Sequence, residues 1–270
     1  MNRLESNFAA LRAEGRRTLV PFITAGYPSL EVTEALLKRF DALGLGVCEL
    51  GIPFTDPIAD GPVIQASYTE ALAAGVTTGK IFEMVRRFRD AGGKLALVAM
   101  VSYSIVYRHG PEAFAKTAAE AGFDGLIIPD LPLEEAAAME QIAASEGLSL
   151  ILLVAPTTPA ARRQEVAAHS RGFIYMMSVA GITGERTALP GETIEGVVEL
   201  RTHTDTPICV GFGISNAETV AGVCRVADGA IVGSAIVHRI TDVKDQPADA
   251  VAESVGAFVA ELMEGASREA

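Results

Sequence analysis

The hydrophobic pattern of the chain switches repeatedly between two periods. Short, nearly continuous apolar runs end in Gly, Pro or Asp, and each gives way to a stretch with apolar residues every third or fourth position, the spacing of a helix with one buried face. TLVPFITAGYP (18–28) reads as a strand with Phe22 and Thr24 near its end, and Ser29 caps a helix burying Val32, Leu36, Leu37 and Phe40. Leu45, Val47 and Cys48 form a second run that carries Glu49 out at its end, and helices follow at 63–73 and 80–91. KLALVAMVSY predicts a strand ending near Met100, with a helix at 111–121 opened by Pro111. FDGLIIPD then predicts a strand ending near Ile128, Pro132 opens a helix, LSLILLVAP is a strand, and 159–168 is a helix. Further strands fall at 172–179, 206–213 and 228–234. About eight buried strands, each followed by helix, predict an α/β fold: a TIM (β/α)8 barrel with extra short helices, one domain over 1–270. Leu4, Phe8 and Leu11 share a helical face ahead of the first strand and predict an N-terminal lid helix over the bottom of the core.

Composition narrows the partners. The chain of 270 residues has a net charge of -12 and no block of basic residues, which argues against nucleic acid and anionic membrane surfaces. The opening residues, MNRLESNFAALRAEGRR, are charged throughout, and no apolar run is long enough to span a bilayer, so a cytoplasmic protein is expected. Cys48, Cys209 and Cys224 have no CxxC spacing, and His109, His169, His203 and His238 stand singly, so no metal is expected. Lys38, Lys80, Lys94, Lys116 and Lys244 all fall on helices or before strands, away from the strand ends where a Schiff-base amine would sit. Acid–base work is therefore left to carboxylates.

Two carboxylates stand out in CELGIPFTDPIADGP (48–62). Glu49 sits where a buried strand meets solvent, so desolvation should raise its pKa and let it hold a proton, while Asp60 on the following loop should stay ionised. A loop of turn formers with merely solvated acids is the competing view of this stretch. Later, GFGIS (211–215) and GSAIV (233–237) follow the last two strands, where barrels bind phosphate, and Gly213, Gly233 and Ser234 could cradle one at a helix N-terminus. Either loop alone is equally well a tight turn, and a dinucleotide fingerprint fails because Asn216 stands where its third glycine belongs. The long loop at 178–192 could close over substrate, with Thr183 and Gly184 reaching the phosphate and Tyr175 lining the pocket. Phe22, Met100, Ile127, Phe212 and Ile231 would make an apolar slot for a flat aromatic group, or simply fill the barrel.

ELGIPFTDPIADGP, SVAGITGER, GFGIS and VGSAIV, in this order and over essentially the whole chain, resemble the signatures of the tryptophan synthase alpha chain family. The resemblance implies retro-aldol cleavage of indole-3-glycerol phosphate to indole and glyceraldehyde 3-phosphate. Glu49 would be the general acid/base at indole C3 and the side-chain hydroxyl, and Asp60 would accept from the indole N–H. Tyr175 and Thr183 would support them, and Gly184, Gly213, Gly233 and Ser234 would hold the phosphate. It implies no cofactor in this chain, and a beta chain bearing pyridoxal phosphate (PLP) in an α2β2 assembly, met through Pro53, Asp56, Pro57 and the Pro132 region. Tyr103-Ser104-Ile105 departs from the Tyr-Asn-Pro of many members, and Val179 from the Arg of some, both near the partner or the lid. Another barrel lyase or isomerase, such as phosphoribosylanthranilate isomerase, or a mainly regulatory subunit, remain as alternatives.

Overall fold

The computed structural model describes residues 1–57, 60–178, 190–211 and 213–267. Helix α1 (Arg3–Ala13) leads into β1 (Thr18–Thr24), α2 (Leu30–Ala42) and β2 (Val47–Gly51). Two helices follow, α3 (Pro62–Ala73) and α4 (Thr78–Asp90), then β3 (Ala96–Met100), α5 (Tyr103–His109), α6 (Pro111–Ala121), β4 (Gly125–Ile127) and α7 (Leu133–Ser145). The second half runs β5 (Ser149–Ile151), β6 (Leu153–Val154), α8 (Ala160–His169), β7 (Ile174–Met177), α9 (Gly191–Arg201) and β8 (Ile208–Gly211). It ends with α10 (Ala217–Cys224), β9 (Gly229–Val232), α11 (Ser234–Val243) and α12 (Ala248–Ser267).

All strand pairs are parallel, in the order β5-β4-β3-β2-β1-β9-β8-β7-β6. The stretch expected as one strand, LSLILLVAP, is two: β5 pairs with β4 and β6 with β7, with Leu152 between them. One chain segment thus joins the two ends of the sheet, giving a nearly closed TIM barrel. Its nine short strands stand for the eight expected because the fifth is interrupted where it changes partner.

Alternation along each strand builds two cores. Val20, Val47, Val98, Ile127, Ile151, Phe173, Tyr175, Cys209 and Ile231 point inward and fill the barrel. Leu19, Ile23, Leu50, Leu97, Leu126, Leu150, Ile174, Met176, Ile208 and Val210 point outward and pack with the helices. Each such side chain, wholly withdrawn from water, contributes roughly 1.5–3 kcal/mol against its entropy cost.

The expected lid helix is a plug. Leu4 and Phe8 of α1 belong to the inner core, Phe8 lying 5.7 Å from the Phe173 ring. Gly172 leaves the room Leu4 uses, since a Cβ there would come 2.6 Å from Leu4 Cδ2. Asn2 starts α1 with a capping box to Glu5. Its amide also donates to the Asp124 carbonyl at 2.9 Å and to Ser149 Oγ at 3.0 Å, which ties the plug to the strand starts.

Two buried aspartates brace that floor. Asp124, just before β4, accepts from the Leu97 N–H at 2.9 Å and pairs with Arg89 at 3.1 Å and Arg3 at 3.0 Å. Asp228, just before β9, accepts from the Ile208 N–H at 2.9 Å and pairs with Arg201 at 2.9 Å and Arg17 at 3.6 Å. The segments AGFDGLIIPD (121–130) and VADGAIVGSA (226–235) look alike, and in each half the Asp closes the same kind of joint.

Candidate active site

The opposite end of the barrel is built from strand C-termini. On β2, Val47, Glu49 and Gly51 face inward while Cys48 and Leu50 face the helices. Glu49 aligns with Phe22 on β1 and Val98 on β3, so it stands in the middle of the sheet with apolar neighbours on both flanks. It is 0% exposed, and neither carboxylate oxygen has a hydrogen-bond partner among the described residues. Loss of water, uncompensated by any cation, holds its pKa well above 4.5.

After β2 the chain turns through Pro53 and Pro57 and returns as α3, with Gly61 in the N-cap position and Pro62 in the first turn. Gln65 Nε2 donates to the Asp60 carbonyl at 2.7 Å and to the Pro57 carbonyl at 3.3 Å, tying the loop to the helix it precedes. Asp60 is brought to the Glu49 end of the barrel and its carboxyl is pushed up to about 6 by burial. The loop acid, expected to stay ionised, has a raised pKa and is still mostly ionised at neutral pH. Its charge and that of Glu49 are both felt by Tyr68 on α3 and by Tyr175 on β7, so the two acids address one space from two elements.

Around that space, Phe22 and Tyr175 are buried and Met100 is half-buried. Ile127 and Ile231 are fully buried in the barrel filling. Gly233 lies beside Phe22, within 3.5 Å by its missing Cβ, and forms the N-cap position of α11. No side chain caps that helix, which leaves N–H groups of its first turn, beginning at the exposed Ser234, open to an anion. Gly213 is exposed after β8. Thr183, Gly184 and Phe212 lie outside the described residues, as does Val179. Of the residues assigned to a partner surface, Asp56 and Pro132 are exposed, Pro57 is half-buried and Pro53 is buried.

Three residues had no signal in the sequence: Gln65, Tyr68 and Asp130. Asp130 Oδ1 accepts from the Tyr103 N–H at 2.7 Å and Oδ2 from Ser102 Oγ at 2.7 Å, which nucleates the short α5 directly after β3. Among the described residues no group of three His, Cys, Asp or Glu is placed to hold a metal, and no helix is long and apolar enough to cross a membrane.

The arrangement is that of a (β/α)8 barrel with a buried, protonated carboxyl at the end of its second strand, a group chemically able to give up a proton. Comparison with known proteins is more specific. The family model for the tryptophan synthase alpha chain matches residues 8–267. A tryptophan synthase alpha chain from Rhodopirellula baltica is 45% identical over 267 residues, covering 96% of both chains. One from Alkalilimnicola ehrlichii is 46% identical, covering 97% of this chain and 94% of its own. Among solved structures, the tryptophan synthase subunit alpha of Legionella pneumophila superimposes with a TM-score of 0.90 at 33% identity over 100% of both chains. Tryptophan synthase from Mycobacterium tuberculosis gives 0.88 at 33% identity over 98% of both. The chain belongs to the tryptophan synthase alpha chain family, lyases that cleave indole-3-glycerol phosphate.

Proposed function

We propose that Glu49 and Asp60 carry the cleavage, and that the carrying observation is the bare, fully buried Glu49 carboxyl facing the same space as Asp60. The protonated Glu49 delivers its proton to C3 of the indole. The ring then becomes an iminium-like electron sink, with positive charge at a nitrogen whose N–H is held by the Asp60 carboxylate. The bond from C3 to the glycerol carbon breaks, its electron pair returns to the ring as indole, and the hydroxyl on that carbon becomes the aldehyde of glyceraldehyde 3-phosphate. The ionised Glu49 takes the hydroxyl proton, so one proton leaves the glutamate and one comes back. Such a placed acid/base contributes roughly 100- to 10,000-fold in rate.

Gly213, Gly233 and Ser234 receive the phosphate at the uncapped start of α11, with Thr183 and Gly184 completing it. Phe22, Met100, Tyr175 and Phe212 flank the indole, and Ile127 and Ile231 back them. This half-reaction uses no cofactor in this chain, and PLP belongs to the beta chain that takes up the indole in an α2β2 assembly of the cytoplasm. The Asp56 and Pro132 regions, with Pro53 and Pro57 shaping the loop between, form the surface toward that partner. The 72% exposed Tyr107 of α5, at the same end of the barrel, supports this.

The deciding experiment incubates the purified chain with indole-3-glycerol phosphate, with and without a beta chain, and measures free indole. Release that depends on Glu49 supports the reading. No release in either condition, or release untouched by Glu49→Gln, overturns it.

A further inference from the structure

Helix α3 buries Ile64, Ser67, Tyr68 and Ala71 on one face. Ser67 Oγ donates to the Ile64 carbonyl at 2.7 Å and meets Thr24 Oγ1 of β1 at 2.6 Å, so the helix is clipped to the barrel beside Tyr68. The Tyr68 hydroxyl reaches the place where a side chain on Gly51 would be: a Cβ there would lie 2.6 Å from Tyr68 Oη and 2.5 Å from Phe22 Cζ. Glycine in mid-sheet weakens a strand, and it commonly marks a close approach. Gly51 is two residues beyond Glu49 on the same inward face, so the hydroxyl sits one layer above the Glu49 carboxyl, toward the mouth.

Tyr68 is 3% exposed, yet its hydroxyl has no hydrogen-bond partner among the described residues. Tyrosines buried to this degree ordinarily find a partner for the hydroxyl. Burial first, then the acids Asp60 from the loop before α3 and Glu49 from β2, keep the phenol protonated. Tyr175 faces the same acids from β7. Tyr68 is therefore a donor awaiting an acceptor, and Asp60 is a half-buried acceptor with no ion pair among the described residues.

We propose that Tyr68 is a positioning residue for the cleavage: with substrate in the mouth, its hydroxyl donates to the Asp60 carboxylate and keeps it turned toward the indole nitrogen. This rests on the cleavage reading given above. Removing the donor raises the pH at which Asp60 loses its proton, because a hydrogen bond to the ionised form favours that form.

Tyr68→Phe keeps the ring and the fold. In full-length chain assayed with a beta chain, the acid limb of kcat, which reports groups in the bound complex, moves up by about one pH unit, a roughly tenfold loss well below its midpoint. The alkaline limb stays in place. In an Asp60→Asn background the same substitution has no further effect, as two members of one interaction should show. An unmoved acid limb, an equal loss at every pH, or an undiminished loss in the Asp60→Asn background overturns the role of Tyr68 while leaving the cleavage intact. A wild-type chain that releases no indole overturns both.

Discussion

Asp124 and Asp228 at the floor and Glu49 at the mouth are all carboxylates withdrawn from water by the same barrel. Each aspartate is met by a backbone N–H and two arginines, whereas Glu49 is met by nothing among the described residues. Placing a charge in the interior costs several kcal/mol unless partners repay it, so the floor surrounds its acids with donors and arginines, and the mouth, offering none, keeps its acid protonated. The first arrangement secures strand starts, and the second stores a transferable proton. One polymer thus carries the same functional group in two settings, partnered at one pole and bare at the other, and only the bare one is suited to reaction.

The sharpest way to break that contrast is to remove one acid from each end. Glu49→Gln keeps the shape and lowers indole release by about 100- to 10,000-fold in a steady-state assay, with the fold intact. Asp124→Ala does the reverse. It leaves Arg89, mostly buried and still protonated with its pKa pushed down to about 10 chiefly by burial, without its counter-charge. Stability in chemical denaturation then falls by about 3–5 kcal/mol, with little change in turnover per folded molecule.

Acidity sharpens the comparison further. Asp60 has to be ionised, so kcat/KM rises about tenfold per unit up to pH about 6, where its raised pKa lies, and levels off. At higher pH it falls again as Glu49 gives up its proton. For folding, the native chain holds a proton on Glu49 that the unfolded chain releases near 4.5. Stability therefore declines as pH climbs above 4.5 and until the native glutamate ionises, and Glu49→Gln flattens that decline. Asp60 adds the same sign between 3.8 and about 6. The smallest effect belongs to the floor: Asn2→Ala removes the cap of α1 and costs about 1 kcal/mol by thermal or chemical unfolding, without altering the pH profile.

Much of this was visible before any coordinates. Continuous apolar runs closed by Gly and Pro placed the strands, and the breakers after Glu49 placed it at a strand end, because burial on both faces and an abrupt stop leave local signatures. The break at Leu152 did not show, since changing a pairing partner leaves a run of leucines and isoleucines unchanged. Nor did the short α5, whose start depends on Asp130 from a different loop. The upward shift of Asp60 was hidden for a related reason: the sequence marks it as a loop residue, but not how much of the protein folds over that loop. Tyr68 reads in the sequence as one more core aromatic, and only Gly51, seventeen positions away, reveals where its hydroxyl goes.

Helix α1 has a consequence beyond holding the floor together. With Leu4 and Phe8 wedged among the lowest side chains, the barrel is a cul-de-sac rather than a tunnel. A small greasy molecule set free beside Glu49 meets a closed floor among the described residues, so its way out leads toward the mouth, on the side of Tyr68 and the Asp56 turn. The direction of traffic is fixed by a helix at the far pole from the chemistry, and whatever docks over the mouth is first in line to receive what comes out.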